Sequence, residues 1–235
     1  MSKGIFYRGK LFSILGDSIS TLSGYSIPYD AAYYRGDRCD DADIHTPPDT
    51  WWGRVIDHLG GELLVNNSIS GSLASKHPDC MTESYGCSDE RTSSLGAGDI
   101  SPDVIMVALG ANDRGWGMKP TPETDAERDD ISVFSVAYSL MLEKLRRAYP
   151  QSEIWCLTIP VGCKKSDPSV GFPLRLLGRH ISEYCEVIRT AASEQGCRVV
   201  DLYKSPEPYD TLDTLHPNRD GMMTIADAVI AAIEG

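Results

Sequence analysis

The stretch Asp103-Val-Ile-Met-Val-Ala-Leu109, followed at once by Gly110-Ala-Asn-Asp113, decides the fold. Its unbroken apolar run is too short for an ordinary helix and has no polar alternation. That is the pattern of an inner strand of a parallel sheet, buried on both faces. Working outward, strand-like runs recur at Leu11–Leu15, Glu62–Asn66, Ile154–Ile159 and Arg198–Leu202. Helical patterns separate them. Trp51, Trp52, Val55, Ile56 and Leu59 share one face, and Gly60-Gly61 stops that helix. Ile131, Phe134, Tyr138, Met141, Leu142 and Leu145 mark a second helix, ending near Tyr149-Pro150. Leu177, Ile181, Tyr184, Ile188 and Ala192 predict a third, with Gly196 as its stop, and Met222, Ile225, Val229, Ile230 and Ile233 a closing one. Strands alternating with helices predict an α/β sandwich of three layers, a parallel sheet covered on both faces. No repeat, low-complexity stretch or linker interrupts it, so residues 1–235 read as one domain.

The connections are uneven. Those from helix to strand are brief, whereas those from strand to helix run over 19–48, 68–99, 111–128 and 160–172. Long irregular loops are usually functional, and in a parallel sheet all strand-to-helix loops leave the carboxyl edge. Loop lengths alone put the site at that edge.

Composition narrows the partners. With 41% apolar and 24% charged residues the chain reads as an ordinary globular protein. A net charge of -12 argues against nucleic acid and anionic membrane surfaces as partners. No apolar run approaches the ~20 residues of a membrane span, so no membrane insertion is expected. Arg8 and Lys10 break the N-terminal segment before it can resemble a signal peptide. Cys156, Cys185 and Cys197 sit in apolar patterns typical of buried reduced thiols, which favours a cytoplasmic setting. Cys80 and Cys87 share a polar loop and either pair or lie close by accident.

Four polar segments converge on the carboxyl edge: Gly16-Asp17-Ser18, Ser70-Gly71-Ser72, Gly110-Ala-Asn112-Asp113 and Asp213-Thr-Leu-His216-Pro217. Acyl transfer needs a hydroxyl, a base beside it, a carboxylate to orient the base, and donors for the developing oxyanion. The four segments hold each part once.

These blocks resemble the SGNH hydrolases, also called the GDSL esterase/lipase family, named for Ser, Gly, Asn and His in four separated blocks. The matching positions are Ser18, Gly71, Asn112 and His216, in the family's order and across nearly the whole chain; Ile19 stands where the family name has leucine. The resemblance implies a flavodoxin-like five-stranded parallel sheet of order 2-1-3-4-5. It implies Ser18 as nucleophile, His216 as base and Asp213 as orienter. The oxyanion hole it implies is the backbone N–H of Ser18 and of Gly71 with the amide of Asn112. No cofactor and no metal are implied.

Plainer readings compete with each residue. Ser18 alone reads as a helix N-cap, Gly71 and Asn112 as turn residues, and Asp213 with His216 as a surface pair ahead of a helix. It is their co-occurrence that favours chemistry. Asp17 reads as structural, holding its turn. The acidic cluster of Asp37, Asp40, Asp41, Asp43 and His45 offers Ca²⁺ ligands but reads better as a solvated loop. Tyr25, Tyr29 and Tyr33 lie in the long loop after Ser18, where they either wall a substrate pocket or pack in the fold. The expected partner is a small-molecule ester, either an O-acetylated carbohydrate or a short acyl or lysophospholipid-like ester. The rivals are acyl transfer to another acceptor and a catalytically idle binding protein on the same fold.

Overall fold

The computed structural model describes residues 6–26, 31–79 and 85–235. Strands β1 (Leu11–Gly16), β2 (Glu62–Ser68), β3 (Val104–Ala108), β4 (Glu153–Leu157) and β5 (Arg198–Val200) form one sheet in the order β2-β1-β3-β4-β5, every neighbouring pair parallel. This is the expected 2-1-3-4-5 order. It places the apolar run of β3 at the centre, where Val104, Ile105, Met106 and Val107 are buried.

Helices α1 (Asp37–Ala42), α2 (Trp51–Leu59), α3 (Asp89–Ser93), α4 (Ala111–Gly115), α5 (Phe134–Ala148), α6 (Ile181–Glu194) and α7 (Arg219–Glu234) complete the layers. Because side chains alternate along a strand, the sheet feeds two cores. Phe12, Ile14, Met106 and Trp155 pack under α2 and α7, and Leu15, Ile105, Val107, Ile154 and Cys156 pack under α5 and α6. Each such side chain contributes roughly 1.5–3 kcal/mol by leaving water. Thr50 caps α2 by accepting from the Gly53 N–H at 3.0 Å, and Gly60, left-handed at φ 69°, ends it.

Three boundaries differ from the sequence expectation. Leu177 is not helical: it occupies the tip of a hairpin, Arg175–Leu176 against Arg179–His180, at φ 49° and exposed. α6 starts only after His180, whose Nδ1 accepts from the Ser182 N–H while Glu183 accepts from the His180 N–H. That reciprocal cap overrides the apolar spacing. Ile131 likewise precedes α5. β2 runs on through Asn67 and Ser68, polar but buried, because they pair with Leu15 and Gly16 at the carboxyl edge. The long loops are also not bare: α1, α3 and α4 lie within them. Cys156 and Cys185 are buried as expected, but Cys197 only partly; Cys80 lies outside the described residues. Among those residues no helix is long and apolar enough to cross a membrane.

Candidate active site

β1 ends at Gly16, where a Cβ would come within 2.8 Å of both the Ser20 and Ser68 hydroxyls, so a larger residue would push these buried side chains aside. The turn that follows, Ser18–Ser20, is short and 3-10 in form, with Asp17 Oδ1 accepting from the Ile19 N–H at 3.0 Å. It is gripped from below. The Trp51 indole donates to Ser20 Oγ at 3.2 Å, and the Trp52 indole and the Asn66 amide donate to the Ser20 carbonyl at 3.0 and 2.9 Å. The tryptophans are core residues, as their spacing implied, and they also anchor the Ser18 turn.

His216 comes from a tight loop just before α7. The Leu212 N–H donates to the His216 carbonyl at 2.8 Å, and the Thr214 N–H to Thr211 Oγ1 at 3.0 Å. Thr214 has φ 78°, a strained value for a β-branched residue. The loop folds Asp213 back on itself: Oδ1 accepts from the Leu215 and His216 N–H groups, at 3.1 and 2.8 Å. Oδ2 is left to meet His216 Nδ1 at 2.7 Å, while Nε2 lies 2.9 Å from Ser18 Oγ. A carboxylate on Nδ1 fixes the proton there, so Nε2 faces the Ser18 hydroxyl as an acceptor. Burial alone would raise the Asp213 carboxyl, but the hydrogen bonds and charge of His216 outweigh it and hold it well below the usual range.

Tyr33 completes this side. Its ring stacks on the imidazole, centroids 3.6 Å apart and planes 9° apart, and its hydroxyl donates to Asp213 Oδ2 at 3.2 Å. Burial and the neighbouring Asp213 push that hydroxyl up to about 12, so it stays a donor. Arg38 lies 4.5 Å from the same ring. Tyr25 packs against Trp52, half exposed, and among the described residues makes no side-chain hydrogen bond or ring pair with Ser18 or His216; Tyr29 lies outside them.

The candidate oxyanion donors come from the loops after β1, β2 and β3. Gly71 is left-handed at φ 78° with open space where a Cβ would point. Among the described residues neither its N–H nor that of Ser18 has a partner. The Asn112 amide donates one N–H to the Ser72 carbonyl at 3.0 Å, and its other N–H has no partner among the described residues. Ser72 is itself held by Arg91, 1% exposed, whose Nη1 donates to Ser72 Oγ at 2.7 Å. The Nη2 of Arg91 donates to the carbonyls of Gly16 and Asn67 at 3.1 and 2.8 Å. This one cation ties the ends of β1 and β2 to the Gly71 loop. Burial pulls it down to about 10, so it keeps its charge at neutral pH. No spacing or motif in Asp89-Glu-Arg91 announces it. Asp113 is fully buried and accepts from Ala74, Ser75 and the Ser75 hydroxyl, fastening the Gly71 loop to α4.

Asp17 carries a cost. Burial lifts its carboxyl to about 6, partly opposed by the Ile19 N–H and the charge of His216. A carboxyl raised on folding binds its proton more tightly in the folded state, so stability falls as pH rises from about 4 to about 6. By linkage the loss from 3.8 to about 6 is roughly 3 kcal/mol above that window. Asp17→Asn keeps the acceptor for Ile19 and is expected to melt higher than wild type at pH 7.5 and at the same temperature near pH 3.5. A melting difference equal at both pH values would remove the buried charge as its cause.

The acidic cluster became structure. Asp37, Asp40 and Asp41 lie in α1, Asp43 closes it, and Arg219 pairs with Asp43 and Asp49 at 3.0 Å each. No group of three or more His, Cys, Asp or Glu side chains among the described residues is placed to hold a metal ion.

A family model described as GDSL-like Lipase/Acylhydrolase matches residues 10–161. Among solved structures, a protein described as a GDSL-like lipase from Bacteroides uniformis is 25% identical with a TM-score of 0.67 over 95% of each chain. The aryl esterase of M. smegmatis is 16% identical, TM-score 0.66, over 95% of this chain and 97% of its own. Est24, a carbohydrate acetylesterase from Sinorhizobium meliloti, is 14% identical, TM-score 0.63, over 94% and 97%. The chain matches no curated protein sequence.

Proposed function

The chain belongs to the GDSL-like lipase/acylhydrolase family, and on that premise we propose that it hydrolyses a small ester through an acyl-enzyme on Ser18, within one catalytic domain spanning residues 1–235. The observation that carries this is the linked pair of contacts, Asp213 to His216 at 2.7 Å and His216 to Ser18 at 2.9 Å. Ser18 Oγ attacks the ester carbonyl as Nε2 of His216 takes its proton. The oxyanion forms against the N–H groups of Ser18 and Gly71 and the free N–H of Asn112. Collapse expels the alcohol, protonated by His216. Water then attacks the acyl-enzyme with His216 as base, releasing the acid.

The substrate class we assign is an O-acetylated carbohydrate or a short acyl ester. A small, mostly apolar cavity lies beside the Ser18 turn, lined by Asp17, Ile19, Ala108, Leu109, Ala111 and Ile159 but not by Ser18 or His216 themselves; as the neighbouring apolar space it suits a few methylenes better than a long chain. Est24, which shares the fold, is a carbohydrate acetylesterase. The test is a panel of p-nitrophenyl esters of rising chain length with acetylated sugars, run beside the Ser18→Ala protein. Turnover that peaks on short chains supports the reading; absence of ester cleavage across the panel overturns it.

Asn112→Ala is expected to lower kcat by about 10²–10³-fold with a smaller change in KM, the usual cost of one oxyanion donor. An unchanged kcat would return Asn112 to the role of a turn residue.

A further inference from the structure

Tyr33 meets His216 face to face, with 3.6 Å between ring centroids and 9° between planes. The chain on either side fastens this contact in place. The Tyr33 N–H donates to Thr21 Oγ1 at 2.8 Å, and the Thr21 hydroxyl donates in turn to the Ser18 carbonyl at 2.8 Å. The next residue, Tyr34, is fully buried, and its hydroxyl donates at 2.7 Å to the carbonyl of Pro217, directly after His216. The step Tyr33-Tyr34 is thus tied to the nucleophile turn on one side and to the loop of the base on the other. The two tyrosine rings meet edge to face, 5.0 Å apart, and the Arg38 guanidinium of α1 lies over the Tyr33 ring at 4.5 Å.

Stacking uses only the face of the imidazole. Both its nitrogens lie in the ring plane and stay with Asp213 and Ser18, at 2.7 and 2.9 Å. What the tyrosine face offers depends on the charge opposite it. Its quadrupole is negative over the ring, so it attracts a cation and does little for a neutral partner. On the mechanism above, His216 is neutral while it waits for substrate and becomes imidazolium when it takes the Ser18 proton. It does so again when it takes a proton from the attacking water. The stack therefore strengthens only as the reaction proceeds, and an interaction of that kind speeds the chemistry without tightening substrate binding.

We propose that Tyr33 is a positioning residue for acyl transfer, whose ring face fixes the imidazole plane and stabilises the positive charge that His216 carries between its two proton transfers. This rests on the ester-hydrolase reading above. It differs from a pocket wall, which would touch substrate and govern KM.

The test follows kcat and KM for p-nitrophenyl acetate on the full chain. Tyr33→Leu should lower kcat by about tenfold, the scale of a partly desolvated cation–π contact, with KM within about twofold. Tyr33→Phe keeps the face, loses only the hydroxyl bond to Asp213, and should recover most of the rate. Pentafluorophenylalanine in place of Tyr33 keeps the shape but removes the negative face, so it should be about fivefold slower than Tyr33→Phe. In the His216→Ala protein, Tyr33→Leu should cost nothing further, because the residue it acts through is gone. A raised KM at unchanged kcat, equal rates for phenylalanine and its fluorinated form, or the same loss in the His216→Ala background each overturns the proposal. If Tyr33→Leu does not fold, Tyr33→Phe against the fluorinated ring decides it alone. Turnover that is lost in Ser18→Ala reports the hydrolase reading separately. Were no ester cleaved at all, the rate at which an organophosphonate labels Ser18, which needs the same proton transfer to His216, would carry the same comparison of rings.

Discussion

Ser18→Ala is expected to lower kcat by about 10⁶-fold, the scale seen when the nucleophile of a serine triad is removed, while the protein stays folded. The fold should not suffer, because the Ser18 hydroxyl touches His216 Nε2, whereas the turn is held by Asp17, Trp51, Trp52 and Asn66. The Ser18 carbonyl, which accepts from the Thr21 N–H and hydroxyl, is retained in the alanine protein. An organophosphonate probe should label wild type at Ser18 and leave the variant unlabelled. Normal turnover by a folded Ser18→Ala protein would end the mechanism.

His216→Ala and Asp213→Asn carry the second large effect, and their ranking is informative. Without His216 nothing takes the proton of Ser18, so the loss should approach that of Ser18→Ala. Asp213→Asn keeps a side chain of the same shape, but its amide NH₂ turned towards Nδ1 would favour the wrong tautomer, at a cost of up to about 10⁴-fold. Tyr33 still stacks on the ring in that variant, which holds the imidazole plane though not its proton. Measured with a chemistry-limited substrate, His216→Ala should be the slower of the two. A His216→Ala protein within tenfold of wild type would remove His216 as the base.

What the sequence revealed and what it hid divide along a physical line. The central strand was plain in Val104–Ala108, because burial on both faces leaves an unbroken apolar run. Asp213 and His216 were legible as a pair because three residues in one loop set their contact, and the four blocks met because each follows a strand of a parallel sheet. Arg91 was not legible: its partners Gly16, Asn67 and Ser72 lie 75, 24 and 19 residues away, and no periodicity encodes such distances. The same holds for Tyr33, found in the loop where a pocket wall was one expectation but laid flat on His216. Leu177 shows the reverse error. It has helical spacing from Ile181 and Tyr184, yet a cap at His180 ends the helix before reaching it.

The contact between Ser18 and His216 joins residues 198 positions apart, across the first strand and the approach to the last helix. Parallel pairing closes long loops, so such a sheet assembles slowly and its distant edges meet late. A chain emerging during synthesis holds Ser18, Gly71 and Asn112 long before Asp213 and His216 exist to meet them. On the proposed mechanism, partly folded forms are expected to be silent in an ester assay, whatever secondary structure they contain. The return of turnover after dilution from denaturant times the arrival of the final loop, a clock that strikes only when the chain has found its last contact.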